Sequence, residues 1–165
     1  MKSINILIGP KGSGKTFIGL LLQQRLSIPF LRVENIFLRV KDGRNYLNPD
    51  YIKEGFAAVE QEIWNSLNTV DEITVESTGA APKFDEMLDN LKKDFRVRLI
   101  RVNADLNRCL ERIRARDQLS HINVSDHDVM EINRVSTVRV FDFDFEIDNN
   151  AATQEQIIEC FLRNR

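Results

Sequence analysis

Residues Gly9 to Thr16 read Gly-Pro-Lys-Gly-Ser-Gly-Lys-Thr, a full G-x-x-x-x-G-K-[ST] pattern. Glycines at this spacing let the backbone curl so that successive amide N–H groups point inward, and a helix starting at the end of the loop adds its positive N-terminus. Gly9, Lys11, Gly12, Ser13 and Gly14 are therefore expected to line the phosphates of a nucleoside triphosphate. Lys15 would place a catalytic charge on the β- and γ-phosphates, and the Thr16 hydroxyl would be a ligand of the accompanying Mg²⁺. The flanks agree. Ile4, Ile6, Leu7 and Ile8 form a short apolar strand, and Phe17, Ile18, Leu20, Leu21 and Leu22 open a helix that ends near Leu26 and Ser27.

Strands and helices alternate along the rest of the chain, with no internal repeat or low-complexity linker. Pro29 to Val33 reads as a second strand ending at Glu34. Asn48-Pro49-Asp50 starts a helix that runs to about Leu67, with Ile52, Phe56, Val59, Ile63 and Trp64 on its apolar face. Glu72 to Glu76 is a third strand, Pro82 to about Lys93 a helix, and Phe95 to Val102 a fourth strand. Asp105 caps a helix to about Asp117 and Ser125 another to about Thr137, with the polar Gln118 to Val124 between them. Phe141 to Asp148 alternates apolar and acidic residues, which predicts an edge strand with one wet face. Thr153 and Gln156 then make a capping box for a terminal helix.

Such strand–helix–strand units predict an α/β fold of three layers, a mostly parallel five-stranded sheet between helices, with right-handed crossovers. Ligands collect at the carboxyl ends of such strands. That rule singles out the phosphate loop, Glu34, Glu76 to Gly79, Asn103 to Asp105 and Asp148-Asn149, while Arg96 and Arg98, toward the opposite end of the fourth strand, read as solvated surface charges.

The chain has 165 residues and is 42% hydrophobic, enough for one domain with a full core and too little for a second. No apolar stretch approaches a bilayer span, and the first strand starts too soon after Met1 for a signal peptide, so a cytoplasmic location is expected. With 23 basic and 25 acidic residues there is no positive field for duplex nucleic acid. Cys109 and Cys160 fall on apolar helix faces and read as small core residues in a reducing compartment. His121 and His127 are not spaced with other metal ligands.

Together these features resemble the P-loop small-molecule and nucleotide kinases, the group that contains adenylate, shikimate and gluconate kinases. The likeness runs over nearly the whole chain. It rests on the phosphate loop, the acidic residue Glu34, the turn Val75-Glu76-Ser77-Thr78-Gly79, and the arginine series Arg112-Ile113-Arg114-Ala115-Arg116 that leads into a lid at about residues 117–125. It implies a P-loop NTPase fold with strand order second, third, first, fourth, fifth, and ATP with Mg²⁺ as the phosphoryl donor. By the same likeness Arg112 would hold the adenine and Arg116 the transferred phosphoryl group, an i,i+4 pair on one helix face. Asn149 would belong to the segment beneath the base.

In that strand order Glu76 lies beside the metal. Glu34, one strand further out, faces the acceptor and could take or orient its hydroxyl proton. Exchanged roles also fit, as does Glu34 serving only as a helix cap. Arg134 and Arg139 could close on phosphate from beyond the lid or be ordinary surface charges. The acceptor region, about residues 35–68, offers Arg39, Lys41, Arg44 and Tyr46 to a phosphate or carboxylate. The likeness has a gap: shikimate kinases carry Gly-Glu-x-x-Phe-Arg-x-x-Glu, whose arginine holds the substrate carboxylate, and Glu54 to Glu60 here has no arginine. The expected activity is transfer of the ATP γ-phosphoryl to a nucleotide, nucleoside or other small metabolite. The competing reading is an ATPase switch acting on a protein partner. A GTPase would need an Asn-Lys-x-Asp motif, which is absent, and a motor ATPase would favour a strand ending in Asp-Glu, whereas this one ends in Glu76 alone.

Overall fold

Side chains of a strand alternate between its two faces, and the first strand is apolar on both: Ile4, Ile6 and Ile8 on one side, Leu7 on the other. Helices must therefore cover both sides. In the computed structural model, which describes residues 1–165, β1 (Ser3–Ile8) is followed by α1 (Lys15–Leu26), β2 (Phe30–Leu31), α2 (Val33–Val40), α3 (Pro49–Leu67), β3 (Glu72–Ser77) and α4 (Pro82–Asp94). The second half runs β4 (Arg96–Asn103), α5 (Leu106–Ala115), α6 (Asp126–Val138), β5 (Phe145–Asp148) and α7 (Gln154–Arg163).

All five strands are parallel, in the order β2-β3-β1-β4-β5, as the resemblance implied. Ile6 stands opposite Val75 of β3 and Leu99 of β4, which sets the register. On one face these residues pack against Val59 and Ile63 of α3 and Phe84 and Leu91 of α4. On the other, Leu7, Ile100, Val102 and Ile147 meet Ile18 and Leu22 of α1 and Ile157 and Phe161 of α7. The helix starts follow their caps: Asn48 accepts from the Tyr51 amide at 3.0 Å, Asp105 from Asn107 at 3.0 Å, and Thr153 and Gln156 form the capping box.

Four local expectations change. The second strand is only Phe30–Leu31, and the chain turns at once into α2, so Glu34 sits in the first turn of a helix at the carboxyl end of β2. An acidic side chain there is favoured by the helix dipole. The buried stripe of α3 is Tyr51, Gly55, Val59, Ile63 and Leu67, whereas Trp64 is partly exposed and stacks edge-on to Phe95. The last strand pairs only from Phe145 onward. Phe141 and Phe143 instead join the core beneath α4, because Asp144 takes the Leu99 amide at 2.8 Å and brings the chain to the sheet edge only at that point. Finally, Arg96 is exposed as read, but Arg98 is buried and paired with Glu72.

Candidate active site

The loop from Gly9 to Thr16 turns over the carboxyl end of β1. Gly12 and Gly14 have φ of 82° and 93°, a left-handed backbone that side chains resist. A Cβ on Gly12 would strike the Cys109 carbonyl, and one on Gly14 the Asn149 amide. Gly9 packs against the Val102 backbone, and Ser13 is buried beneath the loop. The amides of Gly12, Gly14, Lys15 and Thr16 bond to no protein acceptor, so they remain available to an anion at the start of α1.

Three side chains from distant elements hold this loop in shape. Asn133 of α6 accepts from the Lys11 amide at 2.7 Å and returns its own amide to the Lys11 carbonyl at 3.2 Å. Asn149, after β5, donates to the Ser13 carbonyl at 2.8 Å, and Arg112 of α5 to the Gly12 carbonyl at 3.1 Å. Arg112 and Asn149 thus meet at the same edge of the loop, the side where the resemblance puts the base. Asn133 was not singled out by the sequence, since one asparagine on a mostly polar helix carries no pattern.

Lys15 is buried, and its ammonium donates to the carbonyls of Gly9 (2.8 Å) and Pro10 (2.7 Å). Burial pushes it down to about 8 against the opposing pull of Glu76. Thr16 donates its hydroxyl to Glu76 Oε2 at 2.8 Å. Burial raises the Glu76 carboxyl above its ordinary value, with Lys15 and Thr16 resisting. The Glu76–Thr16 pair is an all-oxygen donor set, the kind a hard cation such as Mg²⁺ takes, and the hydroxyl donates its hydrogen to Glu76, which leaves its lone pairs unused. The residues present fit a metal carried in with phosphates.

Glu34, on α2, is held by the segment between α5 and α6. Its Oε1 accepts from the Ile122 amide at 2.8 Å, its Oε2 lies 2.8 Å from His121 Nδ1, and Arg116 approaches to 3.8 Å. Burial would raise the Glu34 carboxyl, but Lys11, His121, the Ile122 amide and Arg116 together hold it below its usual range. The Lys11 ammonium is lowered by burial and supported by Glu34. Arg116 is the C-cap of α5 with an extended backbone, outside the helix, so it does not share a helix face with Arg112. It swings to Glu34 while Arg112 turns to the loop.

Other candidates are drawn into the framework. Arg39 pairs with Glu62 at 3.4 Å and Arg44 with Glu54 at 2.6 Å, both on α3, and Tyr46 bonds Asp128 at the start of α6. Arg134 pairs within its own helix with Glu131 at 2.7 Å. Arg139 bonds the Gly79 carbonyl and Asp85, each at 2.6 Å, and fixes the turn after β3. Arg32, the N-cap of α2, acts on Glu76 electrostatically and has a buried Nε without a partner. Neither Arg32 nor His121 stood out in the sequence, because each is a single polar residue whose neighbours lie far along the chain.

The geometry agrees with comparisons to known proteins. Residues 11–164 match the sequence profile of the shikimate kinase family. Among solved structures, a putative kinase from Chloroflexus aurantiacus is similar with TM-score 0.72 and 17% identity, over 99% of this chain and 98% of that one. A shikimate kinase from Acinetobacter baumannii, solved with shikimate, gives 0.67 and 18% over 100% and 95%. A gluconokinase from Sinorhizobium meliloti gives 0.64 and 16% over 99% and 90%. No curated protein sequence matches the chain. With its phosphate loop, its parallel sheet in this strand order and a profile match over nearly its whole length, the chain belongs to the shikimate kinase family and is an ATP-dependent kinase.

Proposed function

We propose that this chain moves the γ-phosphoryl of ATP to the hydroxyl of a small metabolite, nucleoside or nucleotide other than shikimate. The observation that carries this is the convergence on one phosphate loop of Lys15, the Thr16–Glu76 pair and, from the acceptor side, Glu34 joined to Arg116. Lys15 and the free amides bind and orient the triphosphate, and Arg116 offers planar donors to the group in flight. Thr16 and Glu76 would hold Mg²⁺. When bound, the ion neutralises charge on the phosphate oxygens. Arg112 and Asn149 flank the base.

Shikimate fits poorly because the α3 segment lacks the carboxylate-binding arginine of that substrate's kinases: Gly55 lies against the Phe37 ring and Phe56 stacks on it at 5.4 Å. The 165 residues act as one unit, with residues 35–68 on the acceptor side and 117–125 as the lid. A cytoplasmic setting is supported by two cysteines that stay free, Cys109 buried and Cys160 packed against the second core. No helix is long and apolar enough to cross a membrane.

The test is ATP turnover with and without a panel containing shikimate, gluconate, adenylyl sulfate and deoxynucleosides. A kinase speeds up with one acceptor and yields its phosphorylated form. Turnover indifferent to every acceptor but stimulated by a protein would favour the switch reading instead. With the acceptor in hand, Glu34→Gln should lower the single-turnover rate by roughly 10²–10⁴-fold at unchanged ATP affinity. Glu76→Gln should raise the Mg²⁺ concentration for half-maximal rate.

A further inference from the structure

The lid brings a second group to the acceptor end. His121 and Glu34 are 87 residues apart in sequence, yet the imidazole Nδ1 lies 2.8 Å from Glu34 Oε2. The other carboxylate oxygen is held by the next lid residue, through the Ile122 amide at 2.8 Å. Nε2 of His121 bonds to no protein group. A carboxylate that receives an Nδ1–H fixes the tautomer of the ring, leaves the lone pair on Nε2, and stabilises the imidazolium formed when that nitrogen takes a proton. Glu34 itself is a poor base, since both its oxygens are engaged and Lys11 and Arg116 stand close.

We propose that His121, oriented by Glu34, accepts the proton of the hydroxyl that attacks the γ-phosphoryl, so that Glu34 is a positioning residue for a lid-borne base. This rests on the phosphotransfer reading above. The hydroxyl oxygen bonds to the γ-phosphorus, and the bond from that phosphorus to the β,γ-bridging oxygen breaks. ADP leaves with the electron pair, and the proton moves to Nε2 and later to solvent. The charged groups around the pair are Asp117 from the lid, Lys11 from the phosphate loop and Arg116. Because the base rides on the lid, proton transfer is coupled to closure.

Two readouts decide it. In ¹⁵N spectra of the full chain with Mg²⁺ and an unreactive ATP analogue, neutral His121 should be the Nδ1–H tautomer, and Glu34→Ala should return it to the common Nε2–H form. An unchanged tautomer sinks the proposal whatever the reaction does. The second readout is single-turnover release of γ-phosphate from ATP with water as the acceptor, across pH. The wild type should show a rate that rises with pH, His121→Gln should lose that limb and fall by roughly 10²–10⁴-fold, and free imidazole should partly restore His121→Gly. ATP affinity should not change. A His121→Gln protein, folded by circular dichroism, that keeps both rate and limb makes His121 a latch only. A wild type that binds no ATP in calorimetry would overturn the kinase reading itself. One that binds ATP without any turnover overturns the proton role and leaves only the Glu34–His121 pair.

Discussion

Burial and function pull in opposite directions on the ammonium of Lys15. Inside the loop it is pushed down to about 8 by burial, well under the ordinary lysine value of 10.5, so the charged form costs the folded protein stability at neutral pH and the cost fades as pH rises from about 8 toward 10.5. A bound triphosphate favours the charged form and pulls the proton back. ATP affinity should therefore weaken as pH rises above about 8, and binding at that pH should take up roughly half a proton. Calorimetry in two buffers of different ionisation enthalpy measures this, and equal heats would refute it. The same reasoning predicts that Lys15→Met abolishes ATP binding while the melting temperature at pH 7 holds or rises. A fall in melting temperature would mean that the bonds to Gly9 and Pro10 outweigh the burial cost.

Among the elements, α6 and the segment before it reach the phosphate loop and Glu34 from far along the chain. Asn133 satisfies both backbone groups of Lys11, so Asn133→Ala leaves a donor and an acceptor near the phosphates without their partner. The expected cost is about 1–3 kcal/mol in urea unfolding, together with weaker ATP binding. Asn133→Ala with unaltered ATP affinity would show that the loop keeps its shape alone. The segment Gln118 to Val124 is polar, and the body of the protein holds it chiefly through Glu34. It should be cut by limited proteolysis in the free protein and protected by an unreactive ATP analogue with acceptor. Equal cutting in both conditions would count against a closing lid and against the role given to Arg116.

For the whole molecule, the far end of the sheet is a stability element separate from the site. Arg98 is 5% exposed and pairs with Glu72, which also receives Arg165 at the carboxyl terminus and the Asn5 amide at 3.0 Å. Removing one partner of a buried pair strands the other, so Arg98→Ala should lose about 3–5 kcal/mol. Arg96→Ala, two residues earlier on the same strand but exposed, should change stability by less than about 0.5 kcal/mol. Equal losses in urea titrations would remove the distinction.

What the sequence determined by itself was everything set by local pattern. The Gly-Lys-Thr loop, the capped starts at Asn48, Asp105, Ser125 and Thr153, and the apolar runs of β1, β3 and β4 each carry their signal within a few residues. From them followed the α/β class, the placing of Lys15 and Thr16 on the phosphate loop, and Glu76 at the carboxyl end of a strand, while the strand order came from the resemblance. Tertiary structure decided what depends on partners far along the chain. Val33 to Val40 is too short and too rich in β-branched residues for periodicity to mark it as a helix. Only its packing through Ile36 puts Glu34 in a first turn instead of on a strand. Arg96 and Arg98 look alike in sequence, and only the register opposite Ser3 and Asn5 separates an exposed charge from a buried one. The meetings of Glu34 with His121 and of Lys11 with Asn133 span 87 and 122 residues. Such contacts follow no period, because the folding of the intervening helices sets them.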